Sequence, residues 1–230
     1  MFFKEEKMYC AIIGDIVKSR NIEDRSNVQY RLEGILKDIN MKYKDSIVAN
    51  FTITIGDEFQ GLLDEPKDLL DIIDYIKINL YPVKVRFGIG LGEMSTEIKL
   101  FAIGSDGPAY HVAREAIEDI KKSDIKYEQP DRDTIVYATI KENYEFNPLD
   151  IVNSLLSACY FIESKWSEKQ RDIIKQVTKE DKSHRELAEQ YGVTQPSISR
   201  RLNKSGYYTY KNAKEDATKY IVNYWEGIHE

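Results

Sequence analysis

The sequence has only two cysteines among its 230 residues, and this scarcity excludes two classes of small protein. Cys10 and Cys159 stand far apart in different sequence contexts, so neither a disulfide framework nor a thiolate metal site is expected. Long apolar runs are also missing: no window approaches the length that crosses a bilayer, and the first ten residues are too acidic for a signal peptide. We therefore expect a soluble, cytoplasmic protein that makes no membrane contact.

Positive charge is scarce in most of the chain, whose net charge is -6. Residues 1–159 hold 20 Lys and Arg against 28 Asp and Glu, whereas residues 160–204 hold 10 against 7. The acidic part repels a phosphate backbone and the short basic part does not, although a random scatter of surface charge could give the same difference. The length suits one sizeable domain and a second, small one.

The apolar patterns of the first two thirds of the chain predict an α+β domain. Short apolar runs indicate strands at residues 8–14, 48–55, 58–63, 83–91 and 134–139, with a return strand near residues 99–102. Apolar residues at three- and four-residue spacing predict helices at residues 24–44, 65–80 and 107–122. The β-α-β-β-α-β series is a ferredoxin-like (split βαβ) arrangement, which places the first strand beside the hairpin.

The chain changes character at residues 146–149, after which only helical patterns follow. We predict an α/β domain over residues 1–147 and an all-α domain over residues 148–230, with a connector helix at residues 150–165. Residues 166–204 fit a helix-turn-helix. In this segment Ser183 and Glu186 have the spacing of a capping box, Gly192 supplies a left-handed turn, and Thr194 caps the last helix.

The last helix of this motif has a polar face that suits DNA. Ile198 and Leu202 are spaced to point inward, and the residues predicted to contact bases or phosphates are Thr194, Gln195, Ser197, Ser199, Arg200 and Arg201. No carboxylate lies between Tyr191 and Tyr210. The alternative is a plain helical hairpin used for packing or dimerisation.

Two aspartates of the α/β domain are predicted to converge. Asp15 ends the first strand and Asp57 lies at the tip of the hairpin, so adjacent strands bring both to one place. With the backbone carbonyl of Ile16 they form a donor set for Mg²⁺ or Mn²⁺, and Glu58 is either an extra ligand or a solvated turn residue. Gly56 lets a nucleotide approach the backbone. Taken singly, Asp15 is better explained as a helix-cap or turn residue, and Asp57 as a turn residue that follows a glycine.

Three residues after the first strand are candidates for holding phosphates. Lys18, Ser19 and Arg20 follow the strand directly and could cradle a polyphosphate, or they could be ordinary surface residues. The glycines at positions 88, 90 and 92 lie within a strand and are not a dinucleotide fingerprint. They allow either a close approach of substrate to the backbone or a bulged strand end.

Several of these segments resemble known nucleotide cyclases. GDEFQGLL in the hairpin resembles the signature of GGDEF-type cyclases, with Ile55 where the first glycine would be, and GDIVKSR resembles the first-metal segment of class III nucleotidyl cyclases. VRFGIGLG is similar to the strand that follows, and AIGSDGPAYHVAREA to the helix whose arginine binds the triphosphate, here Arg114. The whole set, with its C-terminal helix-turn-helix, resembles the SatD family.

The resemblance implies a nucleotidyl-cyclase-type palm fold, with Asp15 and Asp57 as metal-binding and catalytic residues. The sequence departs from the cyclase pattern at Ile55 and at Tyr110, which stands where class III enzymes carry a transition-state asparagine. Lys84 is a candidate for the purine-selecting lysine.

Two functional hypotheses follow. The main one is a DNA-binding regulatory protein whose cyclase-like domain binds a nucleoside triphosphate or related nucleotide with Mg²⁺. The alternative is an active nucleotidyl cyclase whose helical C-terminal domain serves localisation or dimerisation. A homodimer is expected under both.

Overall fold

The computed structural model describes residues 7–54, 56–126, 131–139 and 147–227. Its strands are β1 (Met8–Ile16), β2 (Ile47–Ile53), β3 (Glu58–Leu63), β4 (Val85–Glu93) and β5 (Thr134–Ala138). The helices of the first part are α1 (Arg25–Lys42), α2 (Leu69–Leu80) and α3 (Pro108–Lys126). Those of the second part are α4 (Leu149–Ser164), α5 (Glu168–Lys179), α6 (His184–Gln190), α7 (Gln195–Lys204) and α8 (Tyr207–Gly227).

The five strands form one sheet in the order β2-β3-β1-β4-β5. The pairs β2–β3, β3–β1 and β1–β4 are antiparallel, and β5 joins β4 in parallel. The first strand therefore lies beside the hairpin, as the split βαβ pattern predicts. The fold is a mixed α+β fold with a five-stranded sheet.

Alternation along the strands gives the sheet two different faces. One face presents large apolar side chains such as Ile12, Phe59 and Phe87 to α1 and α2, which form the main hydrophobic core. On the other face, β4 carries Gly88 and Gly90, and α3 lies directly on them. A Cβ atom at Gly90 would stand 1.9 Å from the carbonyl oxygen of Ala109, and one at Gly88 2.0 Å from that of Ala113. These glycines allow α3 to pack closely against β4. The sequence-based interpretations, substrate approach or a bulged strand end, did not anticipate this packing.

The predicted return strand near residues 99–102 is not a strand. Residues 100–102 make only an isolated bridge with β2: the N–H of Asn50 donates to the carbonyl of Leu100 at 2.8 Å, and that of Ala102 to the carbonyl of Asn50 at 3.3 Å. Two such bonds do not make a ladder, because the chain leaves β2 at Ile103 toward α3.

The C-terminal helices share the core of the sheet. Leu149, Val152 and Leu156 of α4 and Ala217 and Ile221 of α8 belong to the same hydrophobic cluster as the strands. A second cluster joins α5, α6 and α7 around Trp166, Leu187 and Ile198. The domain boundary at residue 147 remains a prediction, and the main core extends across it.

Helices α6 and α7 are joined by a short turn with the predicted local features. The Ser183 hydroxyl and the Glu186 side chain form a reciprocal capping box, Gly192 has φ 61°, and Ile198 and Leu202 are buried. The Thr194 side chain makes no capping bond to the backbone. In the described part of the chain, no helix has the length and apolar character needed to cross a membrane.

Candidate functional site

The candidate site lies where β1 ends. Asp15 is paired in register with Glu58 of β3 on one side and with Arg86 of β4 on the other. Residues opposite one another in an antiparallel ladder point to the same face, which here is the face covered by α3. The side chains of Asp15, Glu58 and Arg86 therefore meet the charged side chains of that helix.

The Asp15 carboxylate is held by two cations. Arg86 Nη1 donates to Asp15 Oδ2 at 2.9 Å, and Lys121 Nζ of α3 lies 3.6 Å from Asp15 Oδ1. The same guanidinium donates twice to Asp124 of α3, from Nε at 2.9 Å and from Nη2 at 2.6 Å. The side chains of Asp15, Arg86 and Asp124 are each only 14% exposed, so solvent screens these contacts weakly.

Glu58 and Arg114 form a two-bond pair beside this cluster. Arg114 Nη1 donates to Glu58 Oε2 at 3.1 Å and Nη2 to Oε1 at 3.0 Å. The structure thus brings both residues to the predicted site, and they bind each other there. The Arg114 side chain is 55% exposed, which leaves its outer edge open to solvent.

Asp57 lies at the hairpin tip next to the end of β1. Its backbone carbonyl accepts the N–H of Ile16 at 3.4 Å, which joins the two strand ends. The Asp57 side chain is half-buried, and among the described residues it has neither a hydrogen bond nor an ion pair. Gly56 is exposed with φ 69°, a left-handed conformation suited to glycine. Ile55, the departure from the GGDEF pattern, lies outside the described residues.

The segment after β1 places two cations in solvent. Lys18 and Arg20 are exposed, and Lys18 has φ 54° at the entry to a short 3-10 turn. Ser19 is buried, so its side chain lies inside the turn. The N–H of Val17 donates to the carbonyl of Lys84 at 2.9 Å and fixes this loop against the start of β4.

The donor set fits a divalent cation only in part. Within the described ranges, no three His, Cys, Asp or Glu side chains are grouped to hold a metal ion. Mg²⁺ needs one or two carboxylates when water and substrate phosphates supply the rest. Asp15 and Asp57 supply two carboxylates, and that of Asp15 is already bound by Arg86 and Lys121.

Three charged residues of the site were not predicted from the sequence: Arg86, Lys121 and Asp124. Two of them could have been found from the sequence. Lys121 and Asp124 follow Arg114 by seven and ten residues, so they share its face of α3. Arg86 could have been noticed as a charge within an apolar strand. The pairing of Arg86 with Asp15 could not have been noticed in this way, because it depends on the strand order.

Two other positions of α3 lie apart from the cluster. Tyr110 is buried, its hydroxyl has no partner among the described residues, and burial raises its pKa. It therefore lies in the core rather than in a position to contact a phosphate. His111 is exposed, and its Nε2 lies 2.8 Å from Asp106 Oδ1.

The residues predicted to contact DNA divide into two groups on α7. Thr194, Gln195, Arg200 and Arg201 are exposed. Ser197 and Ser199 are half-buried and bonded within the helical part: Ser199 Oγ lies 3.1 Å from His184 Nδ1, and Ser197 Oγ lies 2.9 Å from Thr194 Oγ1 and accepts from Arg200 at 3.3 Å. These serines are occupied by intramolecular bonds.

A cavity of about 670 Å³ lies between α2 and the helices α5 and α8. Its inner charges are already paired: Lys77 Nζ lies 2.6 Å from Asp133 and also contacts Glu163, and Lys214 Nζ lies 2.8 Å from Asp74. Burial lowers the pKa of Lys77, but the two carboxylates outweigh burial and raise it overall. Glu163 also contacts Arg171, whose Nη1 lies 3.3 Å from its Oε1, so three positive and three negative charges are paired in a polar packing interface.

Comparison with known proteins gives one family and two structural similarities. The model of the SatD family matches residues 9–221. The guanylyl cyclase domain of the RhoGC fusion protein from the aquatic fungus Blastocladiella emersonii is 14% identical, with a TM-score of 0.36, covering 48% of this chain and 74% of that chain. A bacterial light-regulated adenylyl cyclase is 18% identical, with a TM-score of 0.38, covering 56% and 74%. No curated protein sequence matches the chain.

These comparisons correct the main functional hypothesis. The prediction of a DNA-binding regulator is wrong: the two solved structures named above are a guanylyl cyclase domain and an adenylyl cyclase. At these TM-scores the likeness assigns neither an activity nor a ligand to this chain.

Proposed function

The chain belongs to the SatD family, and we propose that its α/β domain is a nucleotidyl-cyclase-type enzyme that acts on a nucleoside triphosphate at the end of β1. One observation carries the proposal. The backbone contact between Ile16 and Asp57 joins two aspartate-bearing strand ends, and Arg114 reaches the same place from α3 through Glu58. Carboxylates and an arginine at one end of the central strand are the groups that a nucleotide with its cation requires.

Asp15 and Asp57, with the carbonyl of Ile16, would hold Mg²⁺ or Mn²⁺, which would polarise the reacting phosphate and activate the attacking hydroxyl. Both carboxylate oxygens of Glu58 accept hydrogen bonds from Arg114, so Glu58 is the weaker candidate for a metal ligand. The structure supports this assignment through the lack of a partner for Asp57 within the described residues.

The phosphates of the substrate would be bound by the cations around this end of β1. Arg114 would give up one of its two hydrogen bonds to Glu58 and donate to a phosphate oxygen instead, because the carboxylate and the phosphate compete for the same donors. Lys18 and Arg20 would neutralise the outer phosphates from the loop after β1. Gly56 would leave room for the nucleotide at the hairpin tip, because it has no side chain there.

We propose that the helical part serves localisation or dimerisation, with α6 and α7 forming a helix-turn-helix within it. The shared hydrophobic core supports a role close to the α/β domain, because α4 and α8 complete that core. A homodimer belongs to this proposal as the expected assembly.

The experiment is a product assay with a matched control. Purified protein is incubated with each common ribonucleoside triphosphate and Mg²⁺ or Mn²⁺, and products are separated by chromatography and mass spectrometry. We expect a cyclic product that falls by about 100-fold or more in Asp57→Asn, since a metal ligand or electrostatic group of this kind contributes that much. Asp216→Asn, at an exposed position of α8, should keep full activity.

Absence of product with every triphosphate would contradict the enzyme. Nucleotide-dependent thermal stabilisation of such an inactive protein, lost in Asp15→Asn, would then identify a nucleotide-binding domain without catalysis. Absence of both product and stabilisation would overturn the site itself.

A further inference from the structure

Helix α4 has an outer face that carries no charge. Ile151 and Phe161 lie on this face with 47% and 63% of their surface exposed, and the small residues Ser154 and Ala158 lie exposed between them. No charged side chain occurs from residue 151 to residue 162. Spacings of three, four and three residues place the four exposed side chains on one side of the helix, which we call the α4 face.

The other long helices at the surface differ from α4 in this respect. The exposed positions of α3 include Glu115 and Glu118, and those of α8 include Lys211 and Glu215. A charged outer face is usual for a helix in contact with water, whereas neighbouring exposed apolar side chains mark a surface that binds another molecule. The α4 face therefore has the character of an interface.

The hydroxyl group of Ser154 does not prevent burial of the α4 face. Its Oγ donates to the backbone carbonyl of Asp150, one turn earlier in the helix, at 2.8 Å. A polar group that keeps its hydrogen bond can be removed from water at little cost. A partner that covers the face would therefore leave this donor satisfied.

The side chains of the α4 face are arranged symmetrically about its centre. From either end the order is one large, two small and one large side chain: Ile151, Ser154, Ala158 and Phe161. Two copies of the helix that cross antiparallel at residue 156 would place Ile151 opposite Phe161 of the second copy, and Ser154 opposite Ala158. The small side chains allow a close approach at the centre. A two-fold axis requires such a self-complementary surface, because the same patch must bind itself.

The charges at the two ends of α4 favour the same arrangement. Asp150 is exposed in the first turn, and Lys165 is exposed directly after the last residue, with its Nζ 5.1 Å from the centre of the Phe161 ring. In an antiparallel pair the acidic end of each helix lies beside the basic end of the other, whereas a parallel pair would place like charges together.

We propose that the α4 face is the contact between two copies of this chain, packed as antiparallel helices about a two-fold axis near residue 156. The inference rests on the proposed dimerisation role of the helical part and names the surface that performs it. One pair of helices makes a small interface, so the dimer is reversible, with a dissociation constant on the order of 10 µM.

The test is sedimentation velocity of the full chain at concentrations from about 1 to about 200 µM, which bracket that constant. The wild type should change from monomer to dimer across this range. Ala158→Glu should remain a monomer, a loss of about tenfold or more in affinity, because it buries an unpaired charge at the centre of the contact. Asn212→Glu adds the same charge at an exposed position of α8 and should dimerise as the wild type does.

A second variant tests the antiparallel register. Ser154→Lys should also be a monomer alone, but an equal mixture of the Ser154→Lys and Ala158→Glu proteins should dimerise, because the lysine of one chain meets the glutamate of the other. Both positions are exposed in the single chain, so each variant should keep the wild-type melting temperature within about 3 °C. That measurement separates loss of the contact from misfolding.

The outcomes separate the α4 face from the function on which it rests. A wild type that stays monomeric at every concentration would overturn the interface. If Ala158→Glu dimerises as well as the wild type, the proposed dimer stands and its contact lies on another surface. A mixture that stays monomeric would refute the antiparallel pairing. Sedimentation needs no nucleotide, so the proposed enzyme is decided separately by the product assay.

Discussion

The side-chain amide of Asn153 on α4 makes both hydrogen bonds of a peptide group with Val136 on the edge strand β5. Its Oδ1 accepts the N–H of Val136 at 2.8 Å, and its Nδ2 donates to the carbonyl of Val136 at 3.1 Å. The opposite edge has the same arrangement, since Asn40 on α1 accepts from the N–H of Phe51 at 2.8 Å and donates to its carbonyl at 2.9 Å. Each edge strand is thus bonded to one asparagine of a helix, and β2 is also bonded to residues 100–102.

We expect Asn153→Ala to destabilise the protein by about 2 to 4 kcal/mol, because it leaves a buried N–H and a buried C=O without partners. Asn40→Ala should cost less, since that pair is only partly buried. Urea unfolding followed by circular dichroism measures both. Asn212→Ala, at an exposed position of α8, is the control, and equal stability of the Asn153 and Asn212 variants would refute the pairing.

The glycines of β4 give a second stability prediction. Gly90→Ala forces a methyl group into the space of the Ala109 carbonyl, where a Cβ would stand at 1.9 Å, so α3 must move away from the sheet. We expect a loss of about 1 to 3 kcal/mol or more, as for other overpacked interiors. Calorimetry should show a lower melting temperature.

Gly34→Ala is the matched control, because a Cβ at this helical position meets no atom within 4 Å. It should stabilise α1 by about 0.5 to 1 kcal/mol, since alanine loses less backbone entropy in a helix. A Gly90→Ala protein as stable as the wild type would contradict the contact between β4 and α3.

Local features of the sequence predicted local structure well. The Ser183–Glu186 capping box, the left-handed Gly192 and the inward Ile198 and Leu202 are confirmed, because each depends on residues a few positions apart. The place of β1 beside the hairpin followed from the split βαβ connection rule, which links elements distant in sequence. Short-range patterns and connection rules were therefore sufficient to predict these parts of the fold.

The parts that were missed depend on pairing across long sequence distances. Arg86 contacts Asp15 across 71 residues, and Asn153 contacts Val136 from the helix predicted as a connector. The glycines at positions 88 and 90 were assigned to substrate approach or a bulge, although a helix occupies the space beside them. The pattern of one strand does not reveal which helix will lie on it.

The shared core predicts that the α/β and helical parts unfold together. Leu156 of α4 is buried against the sheet, so Leu156→Ala should cost about 2 to 5 kcal/mol and lower a single calorimetric transition. Leu100→Ala, at a position that is 70% exposed, should change stability by less than about 0.5 kcal/mol. Two separate transitions, only one of them shifted in Leu156→Ala, would instead support independent domains divided at residue 147.

Alkaline pH should weaken the fold through Cys159. Burial raises the pKa of this thiol from 9.0 to about 11, and its Sγ–H donates to the carbonyl of Tyr210 at 3.8 Å. An acid whose pKa is raised by folding stabilises the folded state fully below its unfolded pKa, and this stabilisation is lost as the pH rises through the folded pKa. The window therefore runs from about pH 9 to about pH 11.

Urea unfolding across that window measures the effect, with Cys159→Ala as the comparison. Both proteins share the other titrating groups, including the half-buried Tyr137 and Tyr191, so both lose stability. Burial, and then the neighbouring Asp119 and Asp172, raise the pKa values of these two tyrosines to about 12. The wild type should lose about 1 to 2 kcal/mol more than the variant, because only its thiol ionises on unfolding. Equal losses in the two proteins would show that the Cys159 thiolate is not excluded from the folded state.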